Sequence, residues 1–374
     1  MNNDTMIADV EHLLGRVINS QGEPIDGRGA IYAPARLPLY DFRTGETKGG
    51  VTPVSMFETG IKVVDLLAPM PRGGITAMHS MPGVGKVVVQ QEIIHNLTTH
   101  YDGYVVGAGM DESLYGASEL MAPLEELSDR QKLVVVFEQM SDAQQVLERI
   151  LRTALTIARE LRKQGHEVMF VVDKNIVARA GGPMLNALKR AVQEHGLIAL
   201  FLTREEEEGN APGDEENDAS IIPDTRIFFR RELAKQDIWP AVDRIASTSH
   251  LLSRGDGLPR PGAMDDDSSP LTEEHKQIAR QVRELLQRYG SSQGSAGDEQ
   301  MVGRAQRVQK FLTQPFFVAE AFTDIPGEFV PLSGTLQGCK ELLEGRYGDV
   351  PVEAFYFTGT IEQALAKVRR GISE

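Results

Sequence analysis

The stretch that decides the fold is Ser80-Met81-Pro82-Gly83-Val84-Gly85-Lys86-Val87. A short apolar run, residues 75–79, precedes it, and an apolar-periodic segment, residues 87–97, follows it. A glycine-rich turn between a strand and a helix is typical of a phosphate-binding loop, because small residues let backbone N–H groups approach phosphates and a helix N-terminus favours negative charge. We therefore expect a phosphate site here, with Lys86 reaching the outer phosphates.

This loop departs from the full motif, G-x-x-x-x-G-K-[ST], at two positions. The first glycine is replaced by Ser80, and the hydroxyl residue is replaced by Val87. We still expect Gly83, Val84 and Gly85 to offer backbone donors to a ligand, with Val87 beside it in the first helical turn. A glycine-rich turn that binds no ligand is the alternative.

Short apolar runs and helical patterns alternate around this loop. Strands are predicted at residues 75–79, 104–107, 133–137, 168–172, 197–202 and 226–229, and helices at 87–97, 142–162 and 185–195. Apolar runs without alternation indicate a parallel sheet that is buried on both faces. The pattern therefore predicts a three-layer α/β domain.

The pattern changes on either side of this domain. We predict three regions: residues 1–55 as strand and loop, 56–252 as the α/β domain that contains the phosphate loop, and 253–374 as a helical domain. Helices in the last region are predicted at residues 273–289, 301–312, 334–344 and 361–369. Two polar, acidic, glycine-containing segments, residues 205–218 and 253–270, are predicted to be poorly ordered.

A second chemical signal is Asp173, which follows the apolar run at residues 168–172. A carboxylate after a buried parallel strand lies at the carboxyl edge of the sheet, beside the phosphate loop. In phosphate-loop enzymes such an aspartate holds Mg²⁺, often through water. An aspartate that only caps the next helix is the alternative.

Composition excludes several classes of protein. A formal net charge of -15 argues against broad nucleic-acid binding. The single cysteine, Cys339, cannot form an internal disulfide, as is usual in a reducing cytosol. Neither a signal peptide nor an apolar run long enough to cross a bilayer is visible. We expect a cytoplasmic protein without direct membrane insertion, with attachment to the periphery of a membrane complex as the alternative.

Five longer blocks resemble the β (catalytic) subunits of F-type rotary ATP synthases. One of them reads Arg-Val-Gln-Lys-Phe-Leu-Thr-Gln-Pro-Phe-Phe-Val-Ala-Glu-Ala-Phe-Thr over residues 307–323. The others lie at residues 14–26, 57–69, 238–249 and 353–362. The resemblance implies a RecA-like P-loop domain with a parallel sheet, followed by a C-terminal α-helical domain.

The resemblance also implies a site for ATP or ADP with Mg²⁺. Lys86 takes the place of the P-loop lysine, and Asp173 takes the place of the magnesium-associated aspartate. Ungapped alignment from Gly103 puts Glu112 where the family positions its attacking water. A glutamate in an exposed loop is common, so an ordinary solvated side chain is the alternative for Glu112.

The adenine pocket of the family is aromatic, and three aromatic side chains occupy matching places. They are Trp239, Phe316 and Phe322. Aromatic rings stack on a purine, and such pairs are worth roughly 0.5–1.5 kcal/mol beyond their burial. The alternative is that all three are core aromatics.

Departures from the family concern chemistry. Val87 replaces a threonine whose hydroxyl ligates Mg²⁺, and Mg²⁺ requires oxygen ligands. Ser113 and Val177 stand where the family has arginines. Loss of one charge-stabilising arginine can cost about 10³–10⁵ in rate. We therefore expect hydrolysis to be weak or absent.

Other departures concern assembly. The family begins with a β-barrel, and residue 14 already matches its end, so we expect the barrel to be largely missing. The expected partners are adenine nucleotide and either ATP-synthase-type subunits or an unidentified protein. Three functions remain open: a nucleotide-binding protein with little turnover, which the residues favour; a working catalytic subunit of a proton-translocating rotary ATPase; and a scaffold that binds no nucleotide.

Overall fold

The computed structural model describes residues 6–43, 55–80, 83–111, 130–139, 144–202, 223–252, 271–291 and 299–371. The segments predicted to be poorly ordered, residues 205–218 and 253–270, lie outside these ranges. The chain divides into two compact units. Unit 1 comprises Met1–Ser55, Pro71–His79 and Ile94–Asp224, and unit 2 comprises Met56–Met70, Ser80–Ile93 and Thr225–Glu374. The three predicted domain ranges stay a prediction.

Strands and helices follow one another along most of these residues. The strands are β1 (Met6–Ala8), β2 (Arg16–Ile18), β3 (Arg36–Pro38), β4 (Ser55–Phe57), β5 (Met70–Arg72), β6 (Gly74–His79), β7 (Tyr104–Asp111), β8 (Leu133–Gln139), β9 (Val168–Val172), β10 (Ile198–Leu202), β11 (Thr225–Phe228) and β12 (Thr248–Ser249). The α-helices are α1 (Lys62–Leu67), α2 (Lys86–His100), α3 (Gln144–Lys163), α4 (Lys174–Arg179), α5 (Gly182–His195), α6 (Arg231–Ala234), α7 (Glu273–Ser291), α8 (Glu299–Phe311), α9 (Glu320–Thr323), α10 (Leu332–Leu343) and α11 (Ile361–Arg369).

Six parallel strands form the sheet of unit 1, in the order β6-β10-β9-β7-β8-β2. The inner strands β9 and β10 are buried at every residue, as their unbroken apolar runs require. The register pairs Phe201 with both Val172 and Ala77, so β9, β10 and β6 end at the same edge. The predicted α/β fold with a parallel sheet is confirmed.

Helix α3 shows why the helices cover this sheet. Its apolar residues recur at three and four spacing, and the stripe packs on β7 and β8. Helix α5 packs on β6 and ends at Gly196, which has a left-handed φ of 60°. It begins earlier than predicted because Pro183 lies in the first turn, where a missing N–H costs nothing.

The motif at residues 16–26 builds an edge of unit 1. Arg16 pairs with Asp26 through two hydrogen bonds, Nε to Oδ2 at 2.6 Å and Nη2 to Oδ1 at 2.8 Å. Asn19 Oδ1 accepts from the backbone N–H groups of Gln21 and Glu23. This network shapes the turn that follows β2. Strand β2 itself pairs in parallel with β8. The family-like motif is thus accounted for by local structure.

Buried charges organise the start of unit 2. Every residue of the short helix α1 is buried, including Lys62 and Asp65. Asp65 accepts from Thr59 N and Gly60 N, each at 2.8 Å, and burial raises the pKa of its carboxyl to about 7. Lys62 donates from Nζ to the Thr358 carbonyl, and burial lowers its pKa to about 7. The block at residues 57–69 is therefore a packing element.

The C-terminal part of unit 2 is helical, as predicted. Helices α7, α8 and α10 pack on one another, and α1 packs on α7 and α10. Helix α11 begins with a capping box in which the Thr360 and Gln363 side chains bond each other's backbone. Within the part of the chain that the structure describes, no helix combines the length and the apolar character needed to cross a membrane.

Candidate functional site

The predicted phosphate loop connects β6 to α2. Gly83 and Gly85 have φ angles of 75° and 83°, in the left-handed region that favours glycine. Val84 between them is buried, which anchors the loop. Gly83 is exposed, and a Cβ placed on it would meet no atom of the described residues within 4 Å. The loop therefore leaves room for a ligand against its backbone.

Lys86 is the first residue of α2, a helix of 15 residues whose first half belongs to unit 2. Its side chain is partly exposed, whereas the next two residues, Val87 and Val88, are exposed. Backbone N–H groups at a helix N-terminus lack intrahelical partners and favour an anion. The position suits a phosphate, and Lys86 is the first residue of this helix.

Ser80, at the place of the motif's first glycine, is buried to 1 % exposure. Its Oγ has no hydrogen-bond partner among the residues described. A buried hydroxyl without a partner costs about 1–3 kcal/mol. Among the residues that the structure describes, the Ser80 hydroxyl at the base of the loop therefore has no partner.

Trp239 lies against the loop, within unit 2. A Cβ placed on Gly85 would lie 3.0 Å from Cζ3 of the Trp239 indole. The carbonyl of Trp239 accepts from the backbone N–H of Gln314 at 3.1 Å. An aromatic ring therefore borders the phosphate loop, and it is tied to the segment that carries Phe316.

Phe316 and Phe322 are placed differently within unit 2. Phe316 is buried to 6 % exposure, whereas Phe322, on the short helix α9, is 86 % exposed. The structure thus joins the segment of Phe316 to Trp239, and it leaves the Phe322 side chain available at the surface.

Glu92 joins α2 to the same segment, and the sequence analysis missed it. Its carboxylate accepts from the backbone N–H groups of Phe317 and Val318, each at 3.2 Å. Burial raises the pKa of Glu92 to about 7, and the two N–H donors oppose that shift. A charged residue within the buried stripe of α2, between Val89 and Ile93, was the signal that could have revealed it.

Asp173 belongs to unit 1 and follows β9. One strand, β10, separates β9 from β6, so Asp173 is about 10 Å from the end of β6. Its Oδ1 accepts from Asn175 N at 2.7 Å, which makes Asp173 the N-cap of α4. Asp173 is thus both at the predicted sheet edge and in the role of a helix cap. In α4, Val177 packs against the hydrophobic core of unit 1.

Among the described residues of the predicted site, Asp173 is the one carboxylate that could serve a nucleotide-bound magnesium ion. Among the described residues no group of three or more His, Cys, Asp or Glu side chains could hold a metal ion. Magnesium bound to a nucleotide needs only one or two carboxylates besides phosphates and water. Asp173 offers one carboxylate, which already caps α4, and Val87 offers no oxygen. The other predicted catalytic residue, Glu112, and also Ser113 lie outside the described residues.

A parallel sheet, a loop with two left-handed glycines and a long helix that begins at a lysine define a P-loop nucleotide-binding domain of the α/β class. Residues 60–201 match the family model of the ATP synthase alpha/beta family, nucleotide-binding domain. The matched range includes Lys86 and Asp173 and ends before Trp239 and Phe316. The match supports that family, and nucleotide binding, for this part of the chain.

Proposed function

We propose that this chain is a β-type relative of the ATP synthase subunits that binds ATP or ADP at its phosphate loop and hydrolyses it slowly or not at all. The observation that carries the proposal is the loop itself. Gly83 is exposed and its φ lies in the left-handed region, and the long helix α2 begins three residues later, at Lys86. An exposed backbone in this geometry binds phosphates.

The base side of the proposed site is aromatic. Trp239 borders Gly85, and its carbonyl is tied to the segment that carries Phe316. An indole beside a phosphate loop offers a face on which a purine can stack. These contacts favour a nucleotide over inorganic phosphate as the ligand. The β-type assignment rests on the block at residues 307–323, which contains this segment.

Weak turnover is inferred from side chains that lack the required chemistry. Val87 has no hydroxyl for Mg²⁺, and it stands exposed in the first turn of α2. Val177 is apolar and packs against the core of unit 1, so it supplies no positive charge to a phosphate. A site of this kind holds phosphates but stabilises little of the charge that develops during phosphoryl transfer.

Binding can be tested with the single tryptophan of the chain, Trp239. Addition of ATP or ADP should change its fluorescence, and at 100 times the dissociation constant the fold should gain about 2.7 kcal/mol. Adenosine, which lacks phosphates, serves as the ligand control. If saturating ATP and ADP change neither fluorescence nor melting temperature, and calorimetry shows no heat, nucleotide binding is wrong.

Turnover is tested in the same preparation by phosphate release. We expect phosphate release at the level of a blank without protein. Rapid release that is lost in Glu112→Gln would instead establish a working catalytic subunit. The first protein partners to test are ATP-synthase-type subunits, by native mass measurement of mixtures with and without ATP.

A further inference from the structure

Glu92 is a fully buried glutamate on the phosphate-binding half of α2. Its two carboxylate oxygens are used separately: Oε1 accepts from Phe317 N and Oε2 accepts from Val318 N, each at 3.2 Å. A buried carboxylate is costly unless it is hydrogen-bonded, so these two backbone donors explain how it is tolerated there.

The two donor residues, Phe317 and Val318, are the first residues of a short helix whose own N-cap residue provides no side-chain cap. Phe317–Ala319 is a 3₁₀ turn that leads into α9, and its N-cap residue, Phe316, makes no side-chain cap hydrogen bond. The first N–H groups of a helix have no intrahelical acceptors. Glu92 supplies both acceptors from a different helix.

Within the described residues of unit 2, these contacts are one of two links between residues 314–318 and the phosphate loop with its helix. Gly85 in the phosphate loop borders Trp239, and the Trp239 carbonyl accepts from Gln314 N. From Gln314 the chain passes through Phe316 to the residues that bond Glu92, which lies on the helix that follows Gly85. The aromatic side of the site and its phosphate side are therefore fixed to each other at two points.

We propose that Glu92 is a positioning residue for the base of the bound nucleotide. It holds residues 314–318, and Phe316 with them, in register with the phosphate-binding helix. The affinity for ATP then depends on this carboxylate, whereas the affinity for a bare phosphate chain does not. The inference rests on the proposed function and adds to it the residue that couples base recognition to phosphate recognition.

The test compares two probes, ATP and inorganic tripolyphosphate, by calorimetry on the full chain. Glu92→Gln keeps the shape of the side chain but offers one acceptor oxygen and sets an NH₂ group against the second N–H. Loss of a charged hydrogen bond of this kind should weaken ATP binding by about tenfold. Tripolyphosphate affinity should stay within about twofold.

The matched control is Glu58→Gln. Glu58 is another glutamate of unit 2 whose carboxylate accepts from the first N–H of a helix, that of Leu332 in α10. The substitution removes the same charge and the same kind of contact, but the bonded N–H belongs to α10 and not to residues 314–318. Both affinities should be unchanged in this variant.

A merely structural role for Glu92 would weaken ATP and tripolyphosphate equally, and that result overturns the inference. Unchanged ATP affinity in Glu92→Gln overturns it as well. If the wild-type chain binds no ATP, the proposed function fails, and base positioning fails with it.

Hydrogen exchange of the wild-type chain gives a second measurement, which needs no folded variant. The amides of Phe317 and Val318 should exchange at least about tenfold more slowly with ATP than with tripolyphosphate. Equal protection by the two ligands would mean that the base does not act on this segment, contrary to the inference.

Discussion

Two motifs of this chain, residues 16–26 and residues 80–86, use their polar groups in opposite ways. In the first, Arg16 and Asp26 pair at 2.6 and 2.8 Å, and Asn19 bonds the backbone of the turn. In the second, Gly83 presents exposed backbone to open space, and the hydroxyl of Ser80 is buried with no partner among the described residues.

The comparison distinguishes two roles that a sequence motif can have, a structural role and a ligand-binding role. A motif that satisfies its own hydrogen bonds stabilises the fold and requires nothing further. A motif that leaves a buried polar group unsatisfied carries a cost, which a bound ligand can offset. Both motifs resemble the same family, so the residues alone do not distinguish the roles, and the contacts do.

The largest expected effect is the loss of ligand stabilisation in Lys86→Ala. Removal of the ammonium should abolish the gain of about 2.7 kcal/mol that saturating ATP confers at 100 times its dissociation constant. The stability without ligand should change by less than about 0.5 kcal/mol, because the side chain is partly exposed. Melting curves with and without ATP measure both quantities.

Lys163→Ala is the matched control for that prediction. Lys163 is also on a helix, α3, and its side chain is about half exposed. Its loss removes the same charge from the protein without touching the loop, so the response to ATP should persist. A full ATP response in Lys86→Ala would show that the loop lysine does not bind the phosphates.

The second-largest expected effect is on stability, and it concerns residues 16–26, whose polar groups hydrogen-bond one another. The Arg16 guanidinium lowers the pKa of Asp26 from 3.8 to about 2. A carboxyl whose pKa is lower in the folded than in the unfolded state stabilises the fold at pH values above its unfolded-state pKa. This stabilisation is lost as pH falls through its folded-state pKa. Asp26→Asn should therefore cost roughly 2 kcal/mol at pH 7, and the difference from wild type should shrink as pH falls from about 4 and vanish below about pH 2.

Urea unfolding at pH 7 and at lower pH measures this cost. Asp41→Asn is the control, since Asp41 lies 4.0 Å from the half-exposed Arg43, and exposed pairs contribute about 0–1 kcal/mol. The ATP response of Asp26→Asn should equal that of wild type. An Asp26→Asn variant that keeps its stability but loses ATP binding would reverse the comparison between the two motifs.

Much of the fold could be predicted from the sequence, and the reasons are local. The strand runs, the phosphate loop and the C-terminal helices were predicted because each depends on apolar periodicity or on glycine at fixed spacing. Strand β7 extends to Asp111, beyond its predicted end, because Gly109 weakens the strand pattern and pairing with β8 sustains it.

Contacts between distant residues could not be predicted. The bonds from Glu92 to Phe317 and Val318 join residues more than 200 positions apart. The parallel pairing of β2 with β8 likewise depends on the folded sheet. Apolar periodicity identifies the face of a helix that is buried, but it does not identify the residue that the face meets.

The third effect distinguishes the two glycines of the loop. Alanine at either position pays the left-handed strain of about 1–2 kcal/mol. Gly83→Ala meets open space, whereas a Cβ at Gly85 would lie 3.0 Å from the Trp239 ring. Gly85→Ala should therefore be less stable than Gly83→Ala by about 1 kcal/mol, and only Gly85→Ala should alter Trp239 fluorescence. Equal stability and equal fluorescence would contradict the contact between Gly85 and Trp239.

The smallest expected effect concerns magnesium at Val87. Val87→Thr places a hydroxyl in the first turn of α2, where it can serve as one oxygen ligand of a nucleotide-bound Mg²⁺. The dependence of ATP affinity on Mg²⁺ should rise by about threefold, while phosphate release stays low because Val177 still stands where an arginine would be.

Val88→Thr is the matched control: the two valines are adjacent and equally exposed, at 37 % and 38 %, so the cost to the helix is the same in both variants. Only Val87→Thr should respond to Mg²⁺, because successive residues of a helix point in different directions. Calorimetry with ATP, in the presence of Mg²⁺ and then of a chelator, measures the difference. Equal responses of the two variants would mean that position 87 does not face the phosphates, and the loop would then belong with residues 16–26 as a structural motif.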